Sequence, residues 1–208
     1  MTTRVELFNR VLLDFGFNRI DDPDSNEREA VVLRELYPRA RDDVLMLRPW
    51  SCSIRRATIQ EVATNSKLVP WAHTYQLPVQ PKCRVVIGLL SKNVGPTGDY
   101  QEGEVEYVVE NDKLLTDEPL VGVRYVAEID IHEMAFHVAS VLTAKLAVLA
   151  AVPLKESLSL QERKIVEFQQ VYMDASLAED RIMGPFGSGD NARSKIAGGT
   201  GDSRFHRR

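Results

Sequence analysis

The residues whose types and spacing most suggest a metal-binding or catalytic site are His132, Glu133 and His137. In the HExxH zinc motif the two histidines are four residues apart, which places them on one face of a helix. Here the histidines are five residues apart, so a helix would separate them by about 140°, at roughly 100° per residue. The spacing argues against a shared metal ion. We interpret one histidine as part of a helix cap and the other as a core or interface residue.

No other motif carries the context that its chemistry requires. The glycine-rich segment 187–192 lacks the preceding strand of a dinucleotide-binding loop, and the acidic loop 21–24 lacks EF-hand spacing. The sequence contains neither a GxxxxGK[ST] nor a GxSxG motif. Trp50 and Trp71 could stack on nucleic-acid bases, but each borders an apolar segment and is interpreted as a packing anchor. We therefore predict no catalytic, cofactor-binding or metal-binding residues and no enzymatic activity.

Composition indicates an ordinary globular chain. The 208 residues are 44% hydrophobic and 27% charged, which excludes wholly disordered, collagen-like and disulfide-scaffold proteins. Cys52 and Cys83 are not in a CxxC pair, and we expect both to be buried thiols in a reducing compartment. The N-terminus lacks the apolar core of a signal peptide. The apolar segment 134–152 contains four polar residues, so we interpret it as a buried helix of a soluble protein with no membrane partner.

Charge is distributed unevenly along the chain. From Arg181 onward six basic side chains stand against two acidic ones, whereas the first 180 residues carry 20 basic and 28 acidic side chains. Six of the twelve glycines fall at or after Gly184. A segment of this composition cannot bury enough apolar surface to offset its chain entropy. We therefore predict an acidic body, residues 1–180, and a flexible basic C-terminal extension, residues 181–208.

Helical periodicity marks both ends of the body, and strand-like alternation marks its middle. Helices are predicted at about 3–16, 25–48, 130–152 and 159–182, and a β-rich insertion at about 51–127. Capping-box spacing marks three helix starts, at Thr3, Asp130 and Ser159. The predicted fold class is α+β. It consists of a four-helix bundle, two helices N-terminal and two C-terminal, with an antiparallel β-rich insertion and a flexible C-terminal tail.

Turn and proline signals subdivide these elements. Strands are predicted at about 84–90, 104–109, 113–116 and 119–126, with Asn111-Asp112 as a turn. The Gly- and Pro-containing segment 91–103 is predicted to be a long mobile loop that contacts a partner. Pro38 should kink or interrupt the second helix, and Pro153 should end the third.

Three groups of residues follow one another along the chain in a characteristic order. The first is Tyr37, Arg41, Asp42, Leu45 and Pro49-Trp50; the second is Trp71, Tyr75, Leu77-Pro78 and Cys83-Arg84-Val85; the third is 114–117, 124–126 and the Ala/Leu-rich helix through 146–147. In order and spacing they resemble the tail tubular protein A family of phage head-to-tail adaptors, from the first helix to about residue 180. The chain departs from the family at 51–54, where the family often has an aromatic residue and Ala, and at Asn111-Asp112, where it often has Gly.

The resemblance implies a structural virion protein in the phage neck, assembled in the host cytoplasm. Such adaptors form homo-oligomeric rings of twelve subunits below the portal protein, surround the channel through which genomic DNA is ejected, and offer a docking surface to the next tail component, a nozzle or tail tube protein. Some relatives carry an inserted lytic domain, for which this chain has no room. The resemblance further implies that the C-terminal extension reaches towards the portal.

The predicted portal-binding residues are the basic and apolar side chains of that extension. They are Arg181, Ile182, Phe186, Arg193, Lys195, Ile196, Arg204, Phe205, Arg207 and Arg208. Isolated apolar anchors in a flexible segment suit ordering upon a partner surface, and the basic residues suit an acidic rim.

Three alternatives remain open at this stage. A connector or stopper protein at a more distal position in the neck would share much of the fold but bind a different ring. A cellular enzyme with an unmarked acid–base site would show a concave pocket with perturbed titrating groups. A nucleic-acid-binding module would lose DNA affinity steeply as salt is added.

Overall fold

The computed structural model describes residues 2–62, 71–94, 100–103 and 105–184. Four α-helices and two antiparallel sheets make up these residues, so the α+β class is confirmed. The helices are α1 (Arg4–Asp14), α2 (Arg28–Leu47), α3 (Phe136–Lys155) and α4 (Leu158–Met183). The strands are β1 (Ile54–Thr58), β2 (His73–Gln76), β3 (Cys83–Val94), β4 (Tyr100–Gly103), β5 (Tyr107–Glu110), β6 (Lys113–Thr116) and β7 (Leu120–Ala127).

Side-chain caps mark the starts of two of the four α-helices, α1 and α4. The capping box of α1 is confirmed, because the Thr3 side chain accepts the N–H of Glu6 and the Glu6 carboxylate accepts the N–H of Thr3. The other two predicted boxes were wrong. Asp130 caps a separate 3-10 turn, Ile131–Glu133, after which the chain is extended until α3 begins at Phe136. Ser157, rather than Ser159, caps α4 by accepting the N–H of Leu160 at 3.2 Å.

The predicted break at Pro38 and the predicted helix end at Pro153 were both wrong, whereas a kink at Pro38 stays a prediction. α2 begins at Arg28, later than expected, and continues through Pro38 to Leu47. α3 continues through Pro153 to Lys155, where Glu156 takes a left-handed conformation with φ 52°. Pro153 lies in the last turn of α3, and a missing N–H there removes only one hydrogen bond from a helix held by tertiary packing.

The strands form two small sheets. One has the order β1-β7-β3-β4 and the other the order β2-β6-β5, and all pairings are antiparallel. The four predicted strands correspond to β3, β5, β6 and β7, whereas β1, β2 and β4 were not predicted. The predicted loop 91–103 was wrong at both ends, because residues 91–94 continue β3 and Tyr100–Gly103 form β4, which pairs with it. Residues 95–99 of that loop lie outside the described residues.

The turn at Asn111-Asp112 is confirmed. It joins β5 to β6, and both residues have positive φ, 48° and 60°. Asn and Asp tolerate this left-handed conformation, which matches the twist of a two-residue hairpin.

The core is centred on α3. This helix contacts α1, α2 and α4, and Leu142 and Leu146 are fully buried. By length and composition alone α3 could span a membrane, and 56% of its most apolar stretch is buried inside the protein. Core helices of folded domains pass the same test, since enclosure on most sides needs the same apolar composition.

Charged side chains connect the helices to the sheet. Arg41 of α2 bonds Asp42 and Glu128, and Arg84 of β3 bonds the same two carboxylates at 2.8 and 2.7 Å. All four side chains are partly buried. Two cations and two anions in one cluster satisfy each other, which is the condition under which such charges leave water.

Gly122 is required by a close approach between strands. A Cβ at this position would lie 2.8 Å from the carbonyl oxygen of Ala57 on β1 and 3.1 Å from Leu90 Cδ1.

We expect Gly122→Ala to push β1 away from β7 and lower the free energy of unfolding by about 1–3 kcal/mol, measured by urea denaturation. Thr58→Ala, at an exposed position of β1, is the control and should stay within about 0.5 kcal/mol. Equal effects would show that β1 is not held against β7.

Candidate partner-binding surface

The base of the predicted portal-binding extension lies in the last turn of α4. Arg181 and Ile182 are helical, and both side chains are exposed. Gly184 follows as the C-cap, with φ 69°, and its N–H donates to the carbonyl of Asp180 at 3.1 Å. The other eight predicted residues (Phe186, Arg193, Lys195, Ile196, Arg204, Phe205, Arg207 and Arg208) lie outside the described residues. The first three residues of the predicted extension, 181–183, are therefore part of α4.

A buried carboxylate fixes this end of α4. Glu179 is fully buried. One of its oxygens accepts the N–H of Ser51 at 2.5 Å, and the other lies 2.5 Å from Nε2 of His137. Ser51 begins a 3-10 turn (Ser51–Ser53), whose first N–H groups have no partner within the turn. Glu179 thus caps a turn elsewhere in the chain and joins α4 to the α2–β1 junction and to α3.

The same contacts keep Glu179 ionised. Burial alone would raise the pKa of this carboxyl, but the hydrogen bonds from Ser51 and His137 outweigh burial and hold the pKa below its ordinary value. A carboxylate that accepts hydrogen bonds on both oxygens is the form that this environment stabilises.

Trp50 is the packing anchor that the sequence predicted. Its side chain is fully buried, and its indole N–H donates to the carbonyl of Val44 at 2.9 Å. Its ring packs edge-on against Tyr172 of α4 and near His137 of α3, with centroids 6.2 and 6.1 Å apart. Trp71 is only partly buried. Trp50 therefore fills the space among α2, α3 and α4 beside Glu179.

Arg48 forms a second link to the end of α4. Its guanidinium donates to the carbonyl of Ser176 at 3.1 Å and to Asp180 at 2.6 Å, and it lies over the Trp50 ring, 5.4 Å from the centroid. A cation at the C-terminus of a helix also interacts favourably with the helix dipole. Arg48 thus holds the turn from which the extension leaves.

The outward face of α4 carries a row of exposed apolar side chains, which we call the α4 stripe. Its members are Leu158, Ile165, Val166, Met173 and Leu177, which are 69, 40, 63, 66 and 59% exposed. Val166 and Met173, with Gln169, Gln170 and Asp174, line an open groove of about 300 Å³. Among the exposed charged residues of α4, Glu162, Glu167, Asp174 and Asp180 are acidic and Arg163 and Arg181 are basic. An exposed apolar row of this length is typical of an interaction surface.

Sequence reasoning found only part of this arrangement. Helical spacing predicts an inward face for the last helix at Ile165, Phe168, Tyr172, Ala175 and Ile182. The prediction was right at Ala175, which is buried, and at Phe168 and Tyr172, which pack against the core. It was wrong at Ile165 and Ile182, which are 40 and 60% exposed. The α4 stripe was missed, although its members recur at helical spacing and the signal was therefore visible. Glu179 and Arg48 were missed as well.

The histidine motif resolves into two separate environments. His132 and Glu133 lie in the 3-10 turn, and the His132 side chain is largely exposed. His137 lies in α3 against Glu179. Within the part of the chain that the structure describes, no group of three or more His, Cys, Asp or Glu side chains could hold a metal ion.

Comparison of the chain with protein-family models and with curated proteins finds no match. The functional argument therefore rests on three features of the chain itself: the α4 stripe, the anchored end of α4 and the basic extension that follows it.

The buried ring of Trp50 gives the first prediction for this region. We expect Trp50→Ala to lower the free energy of unfolding by about 3–5 kcal/mol, because it leaves a large cavity among three helices. Chemical denaturation monitored by circular dichroism measures this loss. Trp71→Ala is the matched control and should cost clearly less, because Trp71 is only partly buried. An equal, small loss for both variants would contradict the role given to Trp50.

Glu179 gives a pH-dependent prediction. We expect Glu179→Gln to lower stability at neutral pH by about 1–3 kcal/mol, because it removes a hydrogen-bonded buried charge. Since the folded-state pKa of Glu179 is lowered, the carboxylate contributes fully above the ordinary glutamate pKa, and its contribution disappears as pH falls through the lowered value. The difference between the two proteins should therefore shrink on acidification.

The control for Glu179 is Asp180→Asn. Asp180 is 51% exposed in its ion pair with Arg48, so this variant should lose less than about 1 kcal/mol. Urea denaturation at several pH values compares all three proteins. A Glu179→Gln loss that stays constant throughout the acidic range would refute the assignment.

Proposed function

We propose that this protein is a phage head-to-tail adaptor, a structural virion protein that joins the portal to the tail and surrounds the DNA exit channel. In this proposal the four helices form a bundle and the strands between α2 and α3 form an inserted β region. The subunits form a ring, which the family resemblance puts at twelve copies. The portal protein, the next tail component and neighbouring copies are its partners.

The observation that carries the proposal is the α4 stripe. Five large apolar side chains are 40–69% exposed along one helix of 26 residues. A monomer that worked alone would gain nothing from exposing them, whereas a subunit of a ring buries such a surface against its neighbours. The stripe therefore supports a function based on assembly.

The anchored end of α4 supports the role of the extension. Arg48 bonds Asp180 and Ser51 bonds Glu179, four and five residues before Gly184, and Trp50 packs against Tyr172, twelve residues before it. A flexible segment that binds a partner gains from a fixed point of departure, because its search is limited to the reach of its chain. The basic residues of the extension suit an acidic portal surface.

Charge distribution fits the passage of DNA. The first 180 residues carry eight more acidic than basic side chains. When this excess is repeated around a ring, a negative potential repels DNA phosphates, so DNA slides past without adhering.

The test uses the portal protein from the same genome. We expect the intact chain to increase the mass of the portal, measured by light scattering, by a fixed multiple of 23.4 kDa. A full-length variant with Arg204, Arg207 and Arg208 changed to Glu should bind much less, because its charge opposes an acidic rim. The variant with Lys at these three positions is the matched control and should retain binding.

A chain that ends at Gly184 completes the test. This end point keeps α4 whole, and the truncated chain should not bind the portal. If the intact chain does not bind the portal but binds a second neck ring, the distal connector role replaces the adaptor role. If the intact chain binds neither, the neck assignment is wrong.

A further inference from the structure

We propose that the α4 stripe is the docking site of the C-terminal extension of the same chain, residues 185–208. The α4 stripe is the largest row of exposed apolar side chains on any described helix, and nothing in the described residues covers it. The inference adds regulation to the proposed function and rests on that function only for its biological purpose. The docking itself is a property of the free chain.

The α4 stripe and residues 185–208 have complementary chemistry. The stripe is apolar, and four of the six exposed charged residues of α4 are acidic. Residues 185–208 carry five basic and two acidic side chains, with Phe186, Ile196 and Phe205 as separated apolar residues. Apolar anchors supply contact area, and the surrounding basic side chains meet acidic ones on the helix.

The extension is long enough to return along the helix. Leu158 and Leu177 are 19 positions apart on α4, which corresponds to about 28 Å at the helical rise. The 24 residues after Gly184 span up to about 80 Å when extended. The segment can therefore reverse direction and still cover the whole stripe.

The starting point of the extension favours this return. Gly184 is the C-cap at which α4 ends, with φ 69° and ψ 178°. The preceding turn is fixed by Glu179 and Arg48. The extension thus begins at the C-terminal end of the surface that it is proposed to cover.

Because residues 185–208 are tethered to α4, they compete for the stripe more strongly than a second copy of the protein does. A short flexible connection gives an effective concentration on the order of millimolar. A second copy of the protein at micromolar concentration competes poorly with this. In the free protein the stripe is therefore covered, and a partner that captures the extension uncovers the stripe for neighbouring subunits.

Two methionines provide the experiment. Met173 lies in the stripe and is 66% exposed, whereas Met46 lies on α2 and is 57% exposed. When the full-length protein is treated with hydrogen peroxide, mass spectrometry reports the oxidation rate of each methionine. We expect Met173 to be oxidised at least about fivefold more slowly than Met46, because the tethered extension covers it most of the time.

The matched variant is the full-length chain with Phe186, Ile196 and Phe205 changed to Ser. In this variant Met173 should be oxidised as fast as Met46, while the Met46 rate and the melting temperature stay unchanged. The protection of Met173 in the intact chain should not depend on protein concentration and should weaken with added salt.

Three results would overturn the proposal: rapid oxidation of Met173 in the intact chain, protection that survives the Ser substitutions, or protection that increases with protein concentration. The last would assign the stripe to a second copy. None of these measurements contains the portal protein, so they are independent of the adaptor test. Likewise, a failure to bind the portal would leave the Met173 result standing.

Discussion

The position of α4 depends on the need to satisfy one buried charge. The carboxylate of Glu179 is out of contact with water, and an isolated charge in that position would be strongly unfavourable. It is compensated only when the N–H of Ser51 and the ring of His137 are both in place. Three segments must therefore come together at once: the α2–β1 junction, the start of α3 and the end of α4. Trp50 packs in the same place, so the apolar and the charged contacts require one geometry.

A second charged cluster performs the corresponding task between α2 and the sheet. Arg41, Asp42, Arg84 and Glu128 form a neutral group. This cluster adds nothing to the acidic excess of the body, which must come from other side chains. The ion pairs that join the helices to the sheet and the side chains that make the body acidic are thus different residues. The surface can therefore be acidic without weakening the connection between helices and strands.

The sequence predicted those features that depend on neighbouring residues. The Thr3–Glu6 capping box and the Asn111-Asp112 turn are local, and both are present. The alternation of helical and strand-like periods was sufficient for the α+β class. The strands β1 and β2 were missed because they pair with distant strands, β7 and β6, whereas the equally short β5 and β6 are joined by a local turn. Glu179 was missed for a related reason. A glutamate on a helix is ordinarily exposed, and its partner Ser51 is 128 residues away.

The cluster at the end of α4 also determines how the molecule responds to force. A pull on the extension is transmitted through Gly184 to Asp180 and Glu179, which lie within the last turns of the helix. From there the load passes to Arg48 and Ser51 on either side of Trp50, and so into α2 and β1. The remaining length of α4, from Leu158 onward, is bypassed. Tension on the extension is therefore carried by the interior of the protein, and the outer face of α4 stays geometrically undisturbed while the extension is under load.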